Sequence, residues 1–418
     1  MFKISNKKTF KINLSWITFD KLFRGSLNIL LSIILARYLG PEEFGILNYL
    51  LALLFLFNVF ASFGINPVLV NQLIRNKKGD HILIMNAYYF RIIFSLINYI
   101  IFLFIIYLFN KNDLYFTYSL ILGLALIFKS SEIIFSFFEA KSLLKYIVIS
   151  QLIGLLSSFL IIIYAILNNL GNNYLYFALV FDFIIVFLFI NIFYFVKERK
   201  FFIKIDFVKT KKLLIKSLPI LITSLSIYLY MRIDQIMINQ IMDEYNLGIY
   251  SVSVRFIEIF HFIPKIIMIS YLPIILKSKK YNLDLTNLNS FLFKVSLIVV
   301  LFILITSKIL IPYIFGQYYV ESIFTTLVLS FSLIFVFLGV ANEHWYIDKN
   351  YQKYYALYVF LGALVNIFLN LILIPKFGIS GAAYSTLLTY LLIIFLFDII
   401  NKRTRKLFKI KFKSLKIL

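Results

Sequence analysis

The 418-residue sequence has no cysteine. That absence excludes a disulfide-stapled secreted domain and a thiolate metal site. There are three histidines, His81, His261 and His344, far apart along the chain, so a zinc site built on imidazole is not expected either. Charge is scarce: 15% of residues are Asp, Glu, Lys or Arg, against about a quarter in a water-soluble domain. With so few polar residues the chain cannot cover one large globule, and a soluble enzyme is excluded. No G-x-x-x-x-G-K-[ST] loop is present, so the chain itself does not hydrolyse ATP. One E-x-x-H, Glu258 with His261, falls short of a di-iron bundle, which needs a second such pair and two further carboxylates. There is no D-x-D pair of the kind a metal-dependent glycosyl transferase uses. No cofactor is expected.

What is abundant is apolar surface: 62% of residues are hydrophobic and 19% aromatic. They fall in a continuous series of runs near twenty residues long, the signature of an all-α polytopic membrane protein. Twelve spans are expected, roughly at 14–38, 45–66, 83–109, 114–138, 146–168, 174–196, 213–240, 247–275, 291–315, 321–346, 354–374 and 379–400. No connector leaves room for a soluble catalytic or nucleotide-binding domain. The basic start, Met1 to Lys11, leads into an apolar segment with no small-residue processing motif and reads as a retained first span.

The net charge of +23 would suggest nucleic acid on a soluble protein. Its placement points elsewhere. With the N-terminus inside, thirty of the 42 Lys and Arg lie in inside segments, and only Arg37, Lys111 and Lys376 lie outside. Such an asymmetry sets membrane orientation. Both termini are expected on the cytoplasmic side, membrane lipids are expected partners, and nucleic acid is not.

The basic connector Lys197–Lys216 divides the chain into two halves of six spans. Gly45 and Gly248 lie 203 residues apart, Pro67 and Pro273 lie 206 apart, and Gly171 and Gly378 lie 207 apart. Three anchors at nearly one offset suggest a duplicated six-helix unit, in parallel because six is even. The expected lobes are 1–200 and 201–418, the second ending in a basic tail.

Charges inside spans cost about 2.5–3.5 kcal/mol on insertion scales and should face a cavity or a partner. Arg24, Asn28 and Ser32 form one stripe of span one, although Lys21, and equally Arg24, can snorkel to the interface. Arg91 shares a side of span three with Ser95 and Asn98 and lies near enough to the end to snorkel. Lys129 and Glu132, at i and i+3, are expected to neutralise each other. Asp182 sits about 12 Å inside span six with no local partner. Arg232 and Asp234 in span seven point in different directions. Arg255, Glu258, His261 and Lys265 in span eight fall within a sector of about 120 degrees, which favours a cavity wall over a salt-bridge network that only fixes packing. Arg24, Arg91, Arg232, Arg255 and Lys265 outnumber Asp182, Asp234 and Glu258, so such a cavity is net cationic and suits an anionic substrate such as a phosphate ester.

Ala36-Arg37-Tyr38-Leu39-Gly40-Pro41-Glu42-Glu43-Phe44-Gly45 resembles the first-connector signature of bacterial polysaccharide flippases of the multidrug/oligosaccharidyl-lipid/polysaccharide exporter superfamily. The resemblance continues through Arg232-Ile233-Asp234-Gln235, Gly248-Ile249-Tyr250-Ser251, Arg255-Phe256-Ile257-Glu258, Pro264 and Pro273. It resumes at Ile314-Phe315-Gly316, Asn366 with Asn370, Ile374-Pro375-Lys376-Phe377-Gly378 and Gly381-Ala382-Ala383. It covers nearly the whole chain in order. His261 departs from it, standing where a neutral residue is expected.

The resemblance implies two six-helix lobes around a cavity open alternately to either side of the bacterial cytoplasmic membrane. It implies export of undecaprenyl-pyrophosphate-linked oligosaccharide, as for O-antigen or capsule, with glycan polymerase machinery as a partner. It places Arg24, Arg232 and Arg255 in contact with pyrophosphate and sugar. Asp182, Asp234 and Glu258 are candidate sites for ion coupling, and Pro219, Pro264 and Pro273 candidate bend points. A drug antiporter of the same superfamily is the alternative; it calls for an acidic cavity, against which the arginine excess argues. A membrane-embedded polymerase or ligase lacks the large outer loop it would need.

Overall fold

A computed structural model describes residues 7–75, 80–109, 113–198 and 206–415. The expectations for Met1–Asn6, for Lys111 and for the middle of the basic connector at 199–205 lie outside the described residues. Among those described there is no strand. The chain runs through α1 (Lys7–Ser62), α2 (Ile65–Arg75), α3 (Asp80–Phe109), α4 (Asp113–Phe128), α5 (Glu132–Ala140), α6 (Leu144–Leu167), α7 (Asn172–Glu198) and α8 (Phe207–Ile241). It continues through α9 (Glu244–Glu258), α10 (Phe262–Lys277), α11 (Tyr281–Phe315), α12 (Ser322–Ser330), α13 (Ser332–Asp348), α14 (Gln352–Phe377), α15 (Ile379–Leu391), α16 (Phe397–Ile400) and α17 (Arg405–Leu415).

Helices are the natural form for these runs, because hydrocarbon offers backbone N–H and C=O groups no other partner. The polar residues inside them follow the same rule. Asn98 donates to the Phe94 carbonyl at 2.8 Å, Ser217 to Leu213 at 3.0 Å and Thr223 to Pro219 at 2.9 Å. Each feeds its donor into its own preceding turn. Large apolar side chains are left on the outside, Ile305 at 74% and Ile309 at 72% exposure among them. That is costly in water and appropriate in lipid.

Ten helices among the described residues are long and apolar enough to cross a membrane. The twelve expected spans differ at two places. Thr18–Arg75 forms one 58-residue stretch where two spans were expected, bent at Gly40, whose φ is 72°. Glu244–Lys277 is not among the ten: it carries the charged stripe and is broken by a 3-10 turn at Ile259–His261. Pro264 explains the break, since it has no N–H to return to Phe260 and its ring crowds that carbonyl.

The chain divides into two compact units, residues 1–31 with 50–225, and 32–49 with 226–418. In the first, Ile65, Leu69 and Leu73 of α2 pack with Ile84, Met85 and Tyr88 of α3, Phe137 of α5 and Tyr194 of α7. In the second, Leu338, Val359 and Ile393–Phe395 form a core that Phe293 of α11 and Phe408 of α17 join.

Within the second unit, the stretch Ala36–Gly45 is tied down residue by residue. Tyr319 donates its hydroxyl to the Ala36 carbonyl at 2.8 Å, and Arg37 donates to the Tyr313 carbonyl at 2.5 Å. A Cβ on Gly45 would stand 1.8 Å from the Glu244 carbonyl oxygen, and a Cβ on Gly248 would stand 1.8 Å from the Pro41 carbonyl oxygen. Adding 203 to 41 and 45 gives 244 and 248, so the contact maps onto itself under the repeat offset. The two backbones touch at positions that admit only glycine. Gly171 and Gly378, also paired by the offset, both stand at positive φ, 87° and 57°, directly before a helix.

Candidate functional site

The span charges settle into two environments. In the first unit they are mostly consumed by packing. Arg91 is 1% exposed; it donates to the Asn58 side-chain oxygen at 2.6 Å and backbone carbonyl at 3.3 Å, with Glu132 at 3.8 Å. It does not snorkel, and in this structure it holds α3 to α1. Glu132 is the main opposite charge acting on Lys129, as expected, but the two make no close ion pair. The Lys129 ammonium lies over the rings of Phe55 and Phe183, 4.6 and 4.7 Å from their centroids, a cation–π cradle. Glu132 also lies 3.8 Å from Arg91. Arg24 pairs with Asp20 at 2.8 Å, one turn earlier, and remains partly exposed. Asp182 lies against α6, its Oδ1 2.4 Å from where a Cβ on Gly154 would stand.

The second unit brings three predicted residues together. Glu258 Oε1 accepts from Arg232 Nη2 at 2.6 Å, and its Oε2 accepts from Arg255 Nη1 at 3.2 Å. The pairs span α8 and α9, so Arg232 gains a partner in another helix, not from its neighbour Asp234. All three side chains stay partly exposed, at 19% for Arg232, 26% for Glu258 and 31% for Arg255. Arg232 Nη1 and His261 Nε2 are buried with no hydrogen-bond partner. Asp234, by contrast, is buried; it accepts from the Tyr250 hydroxyl and, at 2.8 Å, from the Gln235 backbone. Lys265 on α10 is exposed.

Beside this cluster is a pocket of ≈ 450 Å³, counting its open mouth, whose polar wall includes Tyr230, Asp234, Tyr250, Glu258, His261 and Tyr390. Sequence reasoning found its charged members and missed the tyrosines. In a chain with 29 tyrosines only Tyr250 stood in a quoted motif, and there without a role. Reasoning from sequence also missed Asp398 with Lys411. Lys411 of α17 donates to the Asp398 carboxylate and the Ile394 carbonyl, and Tyr346 donates to Asp398. A π-helical turn at Leu392–Leu396 leaves that carbonyl available. Burial pulls the Lys411 ammonium below the ordinary lysine pKa, with Asp398 opposing. The signal was there: Leu407, Ile410, Lys411 and Ser414 occupy the buried stripe of α17, so a lysine stands in an apolar slot. Among the described residues no three His, Asp or Glu are grouped to hold a metal ion.

Residues 11–279 match the family described as polysaccharide biosynthesis protein. The chain belongs to that family. This polysaccharide biosynthesis protein is 26% identical over 371 residues to the capsular polysaccharide biosynthesis protein CapF of Staphylococcus aureus, covering 85% of this chain and 89% of that one. Its fold is similar to the lipid II flippase MurJ in an inward closed conformation, with a TM-score of 0.75 at 17% identity over 96% of this chain and 90% of that one. It is also similar to an inward-facing multidrug transporter of the MATE family, with a TM-score of 0.66 at 14% identity over 98% and 99% of the two chains. By family the protein belongs to polysaccharide biosynthesis, and its fold is the one seen in these flippase and transporter structures.

Proposed function

We propose that this protein flips undecaprenyl-pyrophosphate-linked oligosaccharide from the cytoplasmic to the outer leaflet of the bacterial cytoplasmic membrane. The observation that carries the reading is the accessible Arg232–Glu258–Arg255 cluster in helices otherwise built for lipid. A pyrophosphate and a polar glycan do not cross hydrocarbon unaided. Forked guanidinium donors replace the water that the diphosphate loses. Glu258 is the counter-ion that holds both arginines until the anion arrives. Arg24 and Lys265 are the further accessible cations for the headgroup. Arg91, expected in that role, is the more distant candidate, because Asn58 and Glu132 occupy it.

In this reading twelve crossings form lobes at 1–200 and 201–418, which rock to expose the site alternately, and both termini are cytoplasmic. The reciprocal Gly45–Glu244 and Pro41–Gly248 contact joins the first connectors of the two repeats, both on the outer side, and serves as an outer gate. Asp182, Asp234 and Glu258 are the residues at which an ion would couple. Charge-neutral variants at all three that transport normally at every pH and sodium level would remove coupling from the proposal.

The test is a deletion strain in which lipid-linked oligosaccharide is quantified and challenged with an impermeant outside probe. Inward-trapped accumulation, reversed by the wild-type gene and not by Arg255→Ala, is expected. Unchanged lipid-linked glycan and unchanged surface polysaccharide would overturn the reading in favour of a multidrug antiporter.

A further inference from the structure

We infer that the pocket of the second unit is a sugar subsite, that His261 determines its specificity, and that the adjoining Arg232–Glu258–Arg255 cluster is left to the pyrophosphate. The inference rests on the flippase reading above and divides its substrate between two neighbouring places. The lining decides the division. Asp234 and Glu258 contribute to the pocket wall, and neither Arg232 nor Arg255 does. The pocket wall itself offers a diphosphate two carboxylates and no guanidinium group.

A cationic ligand fits no better. Glu258 already holds two guanidinium groups, at 2.6 and 3.2 Å. The Asp234 oxygens accept from the Tyr250 hydroxyl and the Gln235 backbone. An added cation would find the carboxylates engaged and two arginines close by. A neutral, hydroxyl-rich ring meets neither objection. Carboxylate oxygens keep spare lone pairs for hydroxyl donors. Tyr230 and Tyr390, edge to face with centroids 5.5 Å apart, bring apolar ring surface to the C–H face of a pyranose. In the pocket wall, His261 Nε2 is buried with no hydrogen-bond partner. It gives or takes a hydrogen bond, which suits a sugar hydroxyl or an acetamido oxygen. His261 thereby acquires a reason: a site built to hydrogen-bond a group discriminates against analogues that lack it.

The experiment uses purified full-length protein in lipid nanodiscs and two probes, undecaprenyl pyrophosphate and the same lipid bearing one N-acetylhexosamine. Wild-type protein is expected to bind the glycosylated lipid about tenfold more tightly, equivalent to about 1.4 kcal/mol. His261→Leu and Tyr390→Ala are expected to bring that ratio close to one. Arg255→Ala is expected to weaken both lipids alike, and retained binding of the sugar-free lipid shows that a pocket variant is folded. A wild-type ratio of one, or a ratio that His261→Leu leaves unchanged, overturns the sugar subsite while the flippase reading stands. Failure of wild-type protein to bind either lipid overturns both. Tetraphenylphosphonium binding that depends on Asp234, without any preference for the glycosylated lipid, makes the pocket a cation site and overturns the inference.

Discussion

Arg91 and Arg255 show how one residue type does two jobs. Both stand in apolar helices. Arg91 is sealed against Asn58 and Glu132 at 1% exposure, whereas Arg255 keeps 31% of its side chain accessible beside Glu258. Arg91→Ala is therefore expected to lower the melting temperature of the detergent-purified protein, because Glu132 loses its ion-pair partner. Arg255→Ala is expected to abolish transport with a smaller thermal shift. The second residue-scale prediction concerns Glu258. Glu258→Gln leaves two guanidinium groups without their shared counter-ion, and partial exposure reduces the cost to about 1–2 kcal/mol. Thermal unfolding of the single variant beside Glu258→Gln with Arg232→Gln checks this: the double variant is expected to recover part of the loss. The sequence marked these residues by their charge alone. It did not say which arginine was sealed, since that depends on whether another helix brings an acceptor, as α1 brings Asn58.

At the scale of the element, α17 is the clearest case. Its outward residues Lys406, Lys409 and Lys413 are exposed cations, while Lys411 is buried against Asp398. Removing one partner of a buried pair costs about 3–5 kcal/mol, because the other is left charged and unpaired. Lys411→Met is expected to destabilise the protein on that scale and to expose 405–415 to limited proteolysis. Lys411→Met combined with Asp398→Asn is expected to restore most of the protection, and Lys409→Met to change neither readout. The basic tail was legible as a topology signal, and its one structural lysine was not singled out by charge. The break at Ile259–His261 follows from Pro264 and illustrates the same limit: a helical wheel through Arg255, Glu258, His261 and Lys265 assumes one continuous helix, which the 3-10 turn interrupts.

At the scale of the whole molecule, the repeat offset and the reciprocal glycine contact make a joint prediction. Gly45→Ala and Gly248→Ala each drive a methyl group to 1.8 Å from a carbonyl oxygen, so neither tolerates the closed contact. Both are expected to raise labelling of Glu244→Cys by an impermeant maleimide several-fold, and by similar amounts, because the two clashes are equivalent under the offset. The native chain has no cysteine, so the label reports that site alone. Equal labelling in wild-type and glycine-variant backgrounds would remove the gate from the proposed cycle.

The sequence by itself determined the environment. Composition and run length require lipid, backbone hydrogen bonding in lipid requires helices, and the skewed Lys and Arg distribution sets an expected orientation. It also supplied the short list of charged residues, because each carries an insertion cost that demands a reason. Only the tertiary structure decided which of those charges neutralise one another, since pairs such as Arg232 with Glu258 and Asp398 with Lys411 join residues 26 and 13 apart whose meeting depends on helix packing. It decided the aromatic wall of the pocket for the same reason. Tyrosines are everywhere in this chain, and three become a site only where α8, α9 and α15 converge.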